Sequence, residues 1–212
     1  MKRRFSLLLI FLALASLACS IPLGGNRPAS PVLFQDDFSN PESGWQAVTP
    51  TNGETGYSNG TYRIHVTGSG ADVWVRPGLN FTDVRIEVVA AKVGGDDNNR
   101  FGVICRAQDW NHFYVFMISS DGYYGIGKIT GEASTLVGMD AMQPSEKIEQ
   151  GNAINHLRVE CIGDTLSLYV NGELVGQAQD GEITSGDVGL IAGTYEVPGT
   201  DVYFDNFTVT RP

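Results

Sequence analysis

Apolar and polar residues alternate along most of this 212-residue chain. "TYRIHV" (61–66), "DVRIEVVAAK" (83–92) and "TLSLYV" (165–170) all repeat with a period of two. That is the period at which side chains leave the two faces of a β-strand. Turn chemistry punctuates these runs. Asp121-Gly122 separates "FMISS" from "YYGIGK", and Asn171-Gly172 separates "LSLYV" from "ELVGQA". Asp-Gly and Asn-Gly between strand-like runs predict β-hairpins, because both turn residues are asked to adopt positive φ. No segment holds a helical period for ten residues with caps. About a dozen strands in one domain predict an all-β fold, two antiparallel sheets packed as a sandwich or jelly roll.

One run is apolar on both faces. Across residues 112–120, Phe113, Val115 and Met117 share one face, and His112, Tyr114, Phe116 and Ile118 share the other. This pattern predicts a central strand, with one face on the inter-sheet core and the other covered or lining a groove. Polar and aromatic residues on neighbouring strands are candidate outer-face partners: His156, Arg158 and Glu160 on one, Ser167 and Tyr169 on another. Trp110, in the polar loop "QDWNH", either folds back on a sheet edge or stands as a platform for a flat ligand. Aromatic rings beside carboxylates and amides suit a sugar, whose apolar faces stack and whose hydroxyls need partners. Trp110, Asn111, His112, Tyr114, Arg158, Glu160 and Tyr169 are therefore the candidate ligand-binding residues. The competing expectation is that Tyr114 and Phe116 lie under a covering loop.

The N-terminus changes the picture of where the domain works. Lys2, Arg3 and Arg4 precede an apolar run over residues 7–17. That run is too short to span a ~30 Å hydrocarbon layer as a helix. Ser16 and Ala18 are small, and Cys19 follows. The segment resembles a bacterial lipoprotein signal, in which the cysteine is acylated and becomes the mature N-terminus. Ser16 and Leu17 depart from the usual leucine and small residue, so ordinary secretion with Cys19 as a bystander is the alternative. Residues 1–18 are read as the signal and residues 19–31, "CSIPLGGNRPASP", as a lipid-anchored tether without apolar period. Residues 32–212 form the single domain. The expected location is the outer face of a bacterial membrane, with the membrane met only through the lipid.

Removing the three signal cations leaves 14 − 3 = 11 Lys and Arg against 24 Asp and Glu, a net charge of −13. So acidic a domain is a poor partner for nucleic acid or anionic lipid. With Cys19 set aside, two cysteines remain. Cys105 is in phase with Phe101 and Val103, and Cys161 with Leu157 and Val159, so both thiols point into the core. An exported pair of this kind forms a disulfide or stays as two inert buried thiols; neither is catalytic.

Four fragments together resemble the concanavalin A-like lectin/glucanase superfamily, in the style of laminin-G-like domains and of 3-keto-disaccharide hydrolase-like domains. They are "LFQDDFSNPESGW", "FGVICRAQDWNHFYVFMISSDGYYGIGK", "LSLYVNGELV" and "DVGLIAGTYEVPGTDVYFDNFTV". The resemblance implies a two-sheet jelly roll over roughly residues 33–209. It leaves activity open among lectins, glycosidases, peptidases and plain adhesion modules. Glycosidases of this superfamily that resemble laminarinases carry Glu-x-Asp-x-x-Glu on one strand. Here "VRIEVVAAK" offers Glu87 and no second carboxylate before Asp96. His65, His112 and His156 are scattered on strands without a nucleophile motif, and no zinc spacing occurs. The superfamily often holds a structural Ca²⁺ beside its first and last strands. Asp36 has the parity of Phe34 and Phe38, and Asp205 that of Phe207 and Val209. Asp36 or Asp37 with Asp205 could then supply hard oxygen ligands; a bulge or backbone capping is the alternative. The expected function is a non-catalytic, cell-surface carbohydrate-binding or adhesion module. A hydrolase acting on a disaccharide derivative and a protein-binding or sensory module are the alternatives.

Overall fold

The computed structural model describes residues 31–212. The proposed signal, the tether up to residue 30 and the lipidation site Cys19 lie outside the described residues. Fifteen strands follow one another: β1 (Val32–Asp36), β2 (Gly53–Ser58), β3 (Thr61–Val66), β4 (Asp72–Val75), β5 (Val84–Gly94), β6 (Arg100–Ala107), β7 (His112–Ser119), β8 (Tyr123–Thr130), β9 (Ala133–Leu136), β10 (Gln143–Pro144), β11 (Ile154–Ile162), β12 (Thr165–Val170), β13 (Glu173–Gln179), β14 (Asp187–Gly193) and β15 (Thr200–Thr210). They form two antiparallel sheets. The first runs β13-β12-β11-β5-β15-β3-β2, with β1 continuing beside the end of β15; the second runs β10-β8-β7-β6-β14-β4, with β9 added on β8. The sheets pack face to face as a sandwich.

Alternation decides which residues fill it. In β5, Val84, Ile86, Val88 and Ala90 point inward and are buried, as are Leu157, Val159 and Cys161 of β11. On the second sheet, Phe101, Val103 and Cys105 of β6 and Tyr114, Phe116 and Ile118 of β7 meet them. Cys105 and Cys161 are joined by a disulfide that ties one sheet to the other. The N-terminal "LFQDDFSNPESGW" closes one end of the core. Trp45 packs edge-on against Phe207 at 5.0 Å and against Phe38 at 5.4 Å. Such tilted aromatic pairs add stability beyond the area they bury.

Turn residues behave as their chemistry dictates, with one difference. Asn171 and Gly172 both have positive φ (51° and 88°), giving the two-residue hairpin between β12 and β13. Asn59 and Gly60 do the same between β2 and β3. At Asp121-Gly122 only Gly122 has positive φ. Three residues separate β7 from β8, and the Ser119 hydroxyl donates to the Asp121 carboxylate to organise the longer loop.

Arg106 is the largest fully buried side chain, and its own φ is positive (54°). Its guanidinium donates to the carbonyls of Thr82, Gly163 and Ile183 and to Asp83. One planar fork of donors thus ties together three loops, at Thr82-Asp83, Gly163 and Ile183.

Candidate functional site

β7 lies between β6 and β8 with both faces apolar, as its sequence pattern predicts. Its inward face is core. Its outward face, Phe113, Val115 and Met117, joins a separate cluster with Ile104, Ile191, Trp74 and Ile129. This cluster floors a groove of about 530 Å³ on the outer face of the second sheet. Neighbours pack close over two glycines of β8: a Cβ at Gly127, which lines the groove, would stand 3.1 Å from Val115, and one at Gly125 would stand 3.1 Å from both Leu136 and Met142. A larger side chain at either position would compress the floor or fill the slot.

Trp110 stands at the mouth, 47% exposed, on the loop between β6 and β7. Its ring lies 6.2 Å from that of Trp74, which in turn lies 5.7 Å from Phe113. The Arg76 guanidinium sits 4.6 Å from the centre of Trp110, so the indole is braced from two sides. The loop itself is held by Asp109. Its carboxylate accepts the Asn111 N–H at 2.6 Å and pairs with His112 Nδ1 at 2.9 Å. The Asn111 N–H chiefly holds the Asp109 carboxyl below its usual range; burial opposes it, and His112 adds to the lowering. His112 is thereby tied to its own loop.

The far end of the groove is differently built. Arg100 reaches Asp72 at 2.7 Å and lies 4.5 Å over the Tyr195 ring. The Tyr195 hydroxyl meets Met142 Sδ at 3.5 Å, joining the two flanks of the groove. Glu132, Ser134, Thr135 and Asn111 supply polar atoms along the rim. The indole N–H of Trp74, within the groove wall, is buried without a hydrogen-bond partner. Such a donor costs about 1–3 kcal/mol until something accepts from it.

The candidate binding residues separate into three places. Trp110 and Asn111 line the groove and His112 braces its loop. Tyr114 does not face the groove: it is buried between the sheets, where its hydroxyl donates to Asp180 at 2.6 Å and accepts from the Ile183 N–H at 3.0 Å. Burial, with the Asp180 carboxylate beside it, pushes the Tyr114 phenol up to about 12. The reason is parity: Tyr114 alternates with Phe113 and Val115 and takes the opposite face. Arg158, Glu160 and Tyr169 belong to β11 and β12 in the first sheet, so no rearrangement short of unfolding brings them to Trp110. There the Arg158 guanidinium covers the Tyr169 ring at 3.6 Å, and Glu160 serves Arg85 at 2.8 Å and Arg158 at 3.6 Å. Sequence reasoning passed over Trp74, Arg76, Arg100 and Asp72. The parity of "DVWVR", polar–apolar–Trp–apolar–Arg, carried a signal for three of them. Tyr195 and Met142 sit in loops whose placement no period predicts.

The carboxylates considered for calcium each accept local hydrogen bonds. Asp36 is buried; it accepts the Phe38 N–H at 2.8 Å and the Ser43 hydroxyl. Asp37 accepts from Ser39 at 2.6 Å. Asp205 loses the parity assigned to it, because β15 bulges between Asp205 and Thr208, with Asn206 at φ 54°. The bulge leaves Phe204 and Phe207 inward and only partly buries Asp205, which accepts the neighbouring Asn206 N–H. Among the described residues, no group of three His, Cys, Asp or Glu side chains is placed to hold a metal ion. Each of these carboxylates accepts from a nearby backbone N–H.

No protein-family model matches the chain, and no curated protein matches it in sequence. Solved structures match the fold. The carbohydrate-binding module CBM66 from Bacillus subtilis is 19% identical, over 79% of this chain and 96% of that one, with a TM-score of 0.65. A Bacillus subtilis protein of unknown function with a galectin-like fold is 9% identical over 85% of this chain and 96% of that one, with a TM-score of 0.61. A Bacillus licheniformis beta-glucanase is 13% identical over 84% and 98%, with a TM-score of 0.57. The chain thus shares the two-sheet antiparallel sandwich fold of these structures. Identities this low speak to fold alone.

Proposed function

We propose that this chain is a non-catalytic carbohydrate-binding module, exported and held at a bacterial cell surface by a lipid on Cys19. The observation that carries the proposal is the exposed indole of Trp110, braced by Trp74 and Arg76 at the mouth of an outer-face groove. A rigid, half-exposed aromatic with amide, hydroxyl and carboxylate groups nearby is the arrangement that stacks a pyranose and takes its hydroxyls. The names of structural neighbours, a carbohydrate-binding module among them, are in keeping with this. We read the site as binding rather than hydrolytic because, of the two carboxylates lining the groove, Asp72 is held in an ion pair with Arg100 and Glu132 is exposed on a turn. The acidic domain meets neutral glycans, not nucleic acid, and touches the membrane through its lipid.

A glycan-array and polysaccharide pull-down screen tests this, run with and without EDTA. Binding is expected for the parent, lost in Trp110→Ala, and kept in Tyr169→Ala on the other sheet. Loss in EDTA would support Ca²⁺ as a cofactor. A folded protein that binds no glycan would sink the proposal, and product formation from a bound glycan would replace it with the hydrolase reading.

A further inference from the structure

The groove is too apolar along its floor for a bare sugar. Val115, Met117, Ile191, Leu136 and Met142 offer carbon and sulfur where a pyranose edge would present hydroxyls. Burying a hydroxyl without a partner is unfavourable, so a hydrophilic ring seated there would lose more than it gained. The polar groups are gathered elsewhere, at the rim and at the Trp110 end. Charge adds a second constraint. Among the described residues that line the groove, the one Lys or Arg is Arg100, which is paired with Asp72, and Glu132 adds further negative charge, so an anionic ligand is disfavoured there. Its ends also differ: the Trp110 end is exposed, whereas Tyr195 and Met142 meet across the other.

Building on the carbohydrate reading above, we propose that the ligand is a neutral glycoside with an apolar aglycone. The sugar stacks on Trp110 at the open end. The aglycone runs along the floor over Val115 and Gly127 towards Met142. Gly127 lines the groove without a side chain, so that part of the floor is not narrowed further. The driving force along the floor is transfer of apolar surface out of water, which grows with the length of the aglycone until the slot is full.

The test is a paired titration of the purified protein, followed by tryptophan fluorescence and calorimetry. Methyl, hexyl, octyl and phenyl glycosides of glucose, galactose, mannose, xylose and N-acetylglucosamine are compared below their micellar concentrations, with octyl tetraethylene glycol as the sugar-free control. For the preferred sugar, affinity should rise by about fourfold for each methylene that reaches the floor. The phenyl arm separates an aryl from an alkyl aglycone. The octyl-to-methyl affinity ratio should collapse towards one in Met142→Ser and in Leu136→Ser, two partly buried positions outside the main core. In Trp110→Ala both ligands should weaken together. If methyl and octyl glycosides bind equally, the apolar-aglycone inference falls and the carbohydrate reading stands. If octyl tetraethylene glycol binds as tightly as the octyl glycoside, sugar recognition falls and both go. Absence of binding to every probe by folded protein also overturns both.

Discussion

Tyr114 shows how much a single buried hydroxyl can hold. It links β7 to the loop after β13 through Asp180 and Ile183, and Asp180 is shared with Lys128 at 2.5 Å. Its phenol stays protonated to about pH 12, and burial pushes the Tyr62 phenol up to about 12 as well. The unfolded chain releases these protons near 10. The folded state therefore keeps its full advantage below about pH 10 and loses it as pH rises towards 12. Thermal melts across that window should show Tm falling steeply, and the fall should be shallower in Tyr114→Phe. That variant should also be less stable by about 1–2 kcal/mol at neutral pH, because the Ile183 N–H and Asp180 lose a partner. Asp36 makes a second residue-scale case. Asp36→Ala should cost roughly 1–3 kcal/mol in denaturant unfolding, since it leaves the buried turn at Phe38 and Ser43 uncapped. Tyr114 was legible as an aromatic on a two-faced apolar strand, but its face was not. Alternation says that two sets of side chains diverge; it does not say which set meets the other sheet.

Among the elements, hairpins carry the most local information. Asn171 and Gly172 both sit at positive φ, and the Asn171 side chain also accepts the His156 N–H and donates to the Lys147 carbonyl. The turn therefore sets the register of β12 and β13 and holds the start of β11. Gly172→Val should destabilise by about 1–3 kcal/mol, because a β-branched residue resists that backbone; urea unfolding would measure it. The β-bulge in β15 needs partners as well. In "DVYFDNFTV" the inward Phe204 and Phe207 stand three residues apart, so the polar pair Asp205-Asn206 already marks a break in the alternation. Pairing with β5 shows that the break is a bulge with Asn206 at positive φ, which puts Asp205 out of phase with Phe207.

At the scale of the whole molecule, the Cys105–Cys161 disulfide joins the two sheets across a sequence separation of 56 residues. Closing a loop of that length restricts the unfolded chain by about 4 kcal/mol in the chain-entropy estimate. Reduction, or a Cys105→Ala/Cys161→Ala pair, should lower stability by that order and shift the chemical midpoint accordingly. The N-terminal proposal is tested at this scale too. Mass spectrometry of the cell-derived protein should find an acylated Cys19, and Cys19→Ala should release the domain from the membrane fraction.

What the sequence determined by itself is whatever depends on neighbours along the chain. The strand period, the Asn-Gly hairpin, the two-faced strand at 112–119 and the inward thiols all follow from backbone geometry acting over a few residues. Tertiary structure decided the rest: which face of β7 became groove, that Trp74 came to brace Trp110, and that Arg158 and Tyr169 ended on the opposite sheet. Those outcomes depend on strand order, which is set by packing between residues as distant as Trp74 and Ile191. Long-range pairing is selected by the free energy of the assembled sandwich, and no local pattern in the chain encodes it.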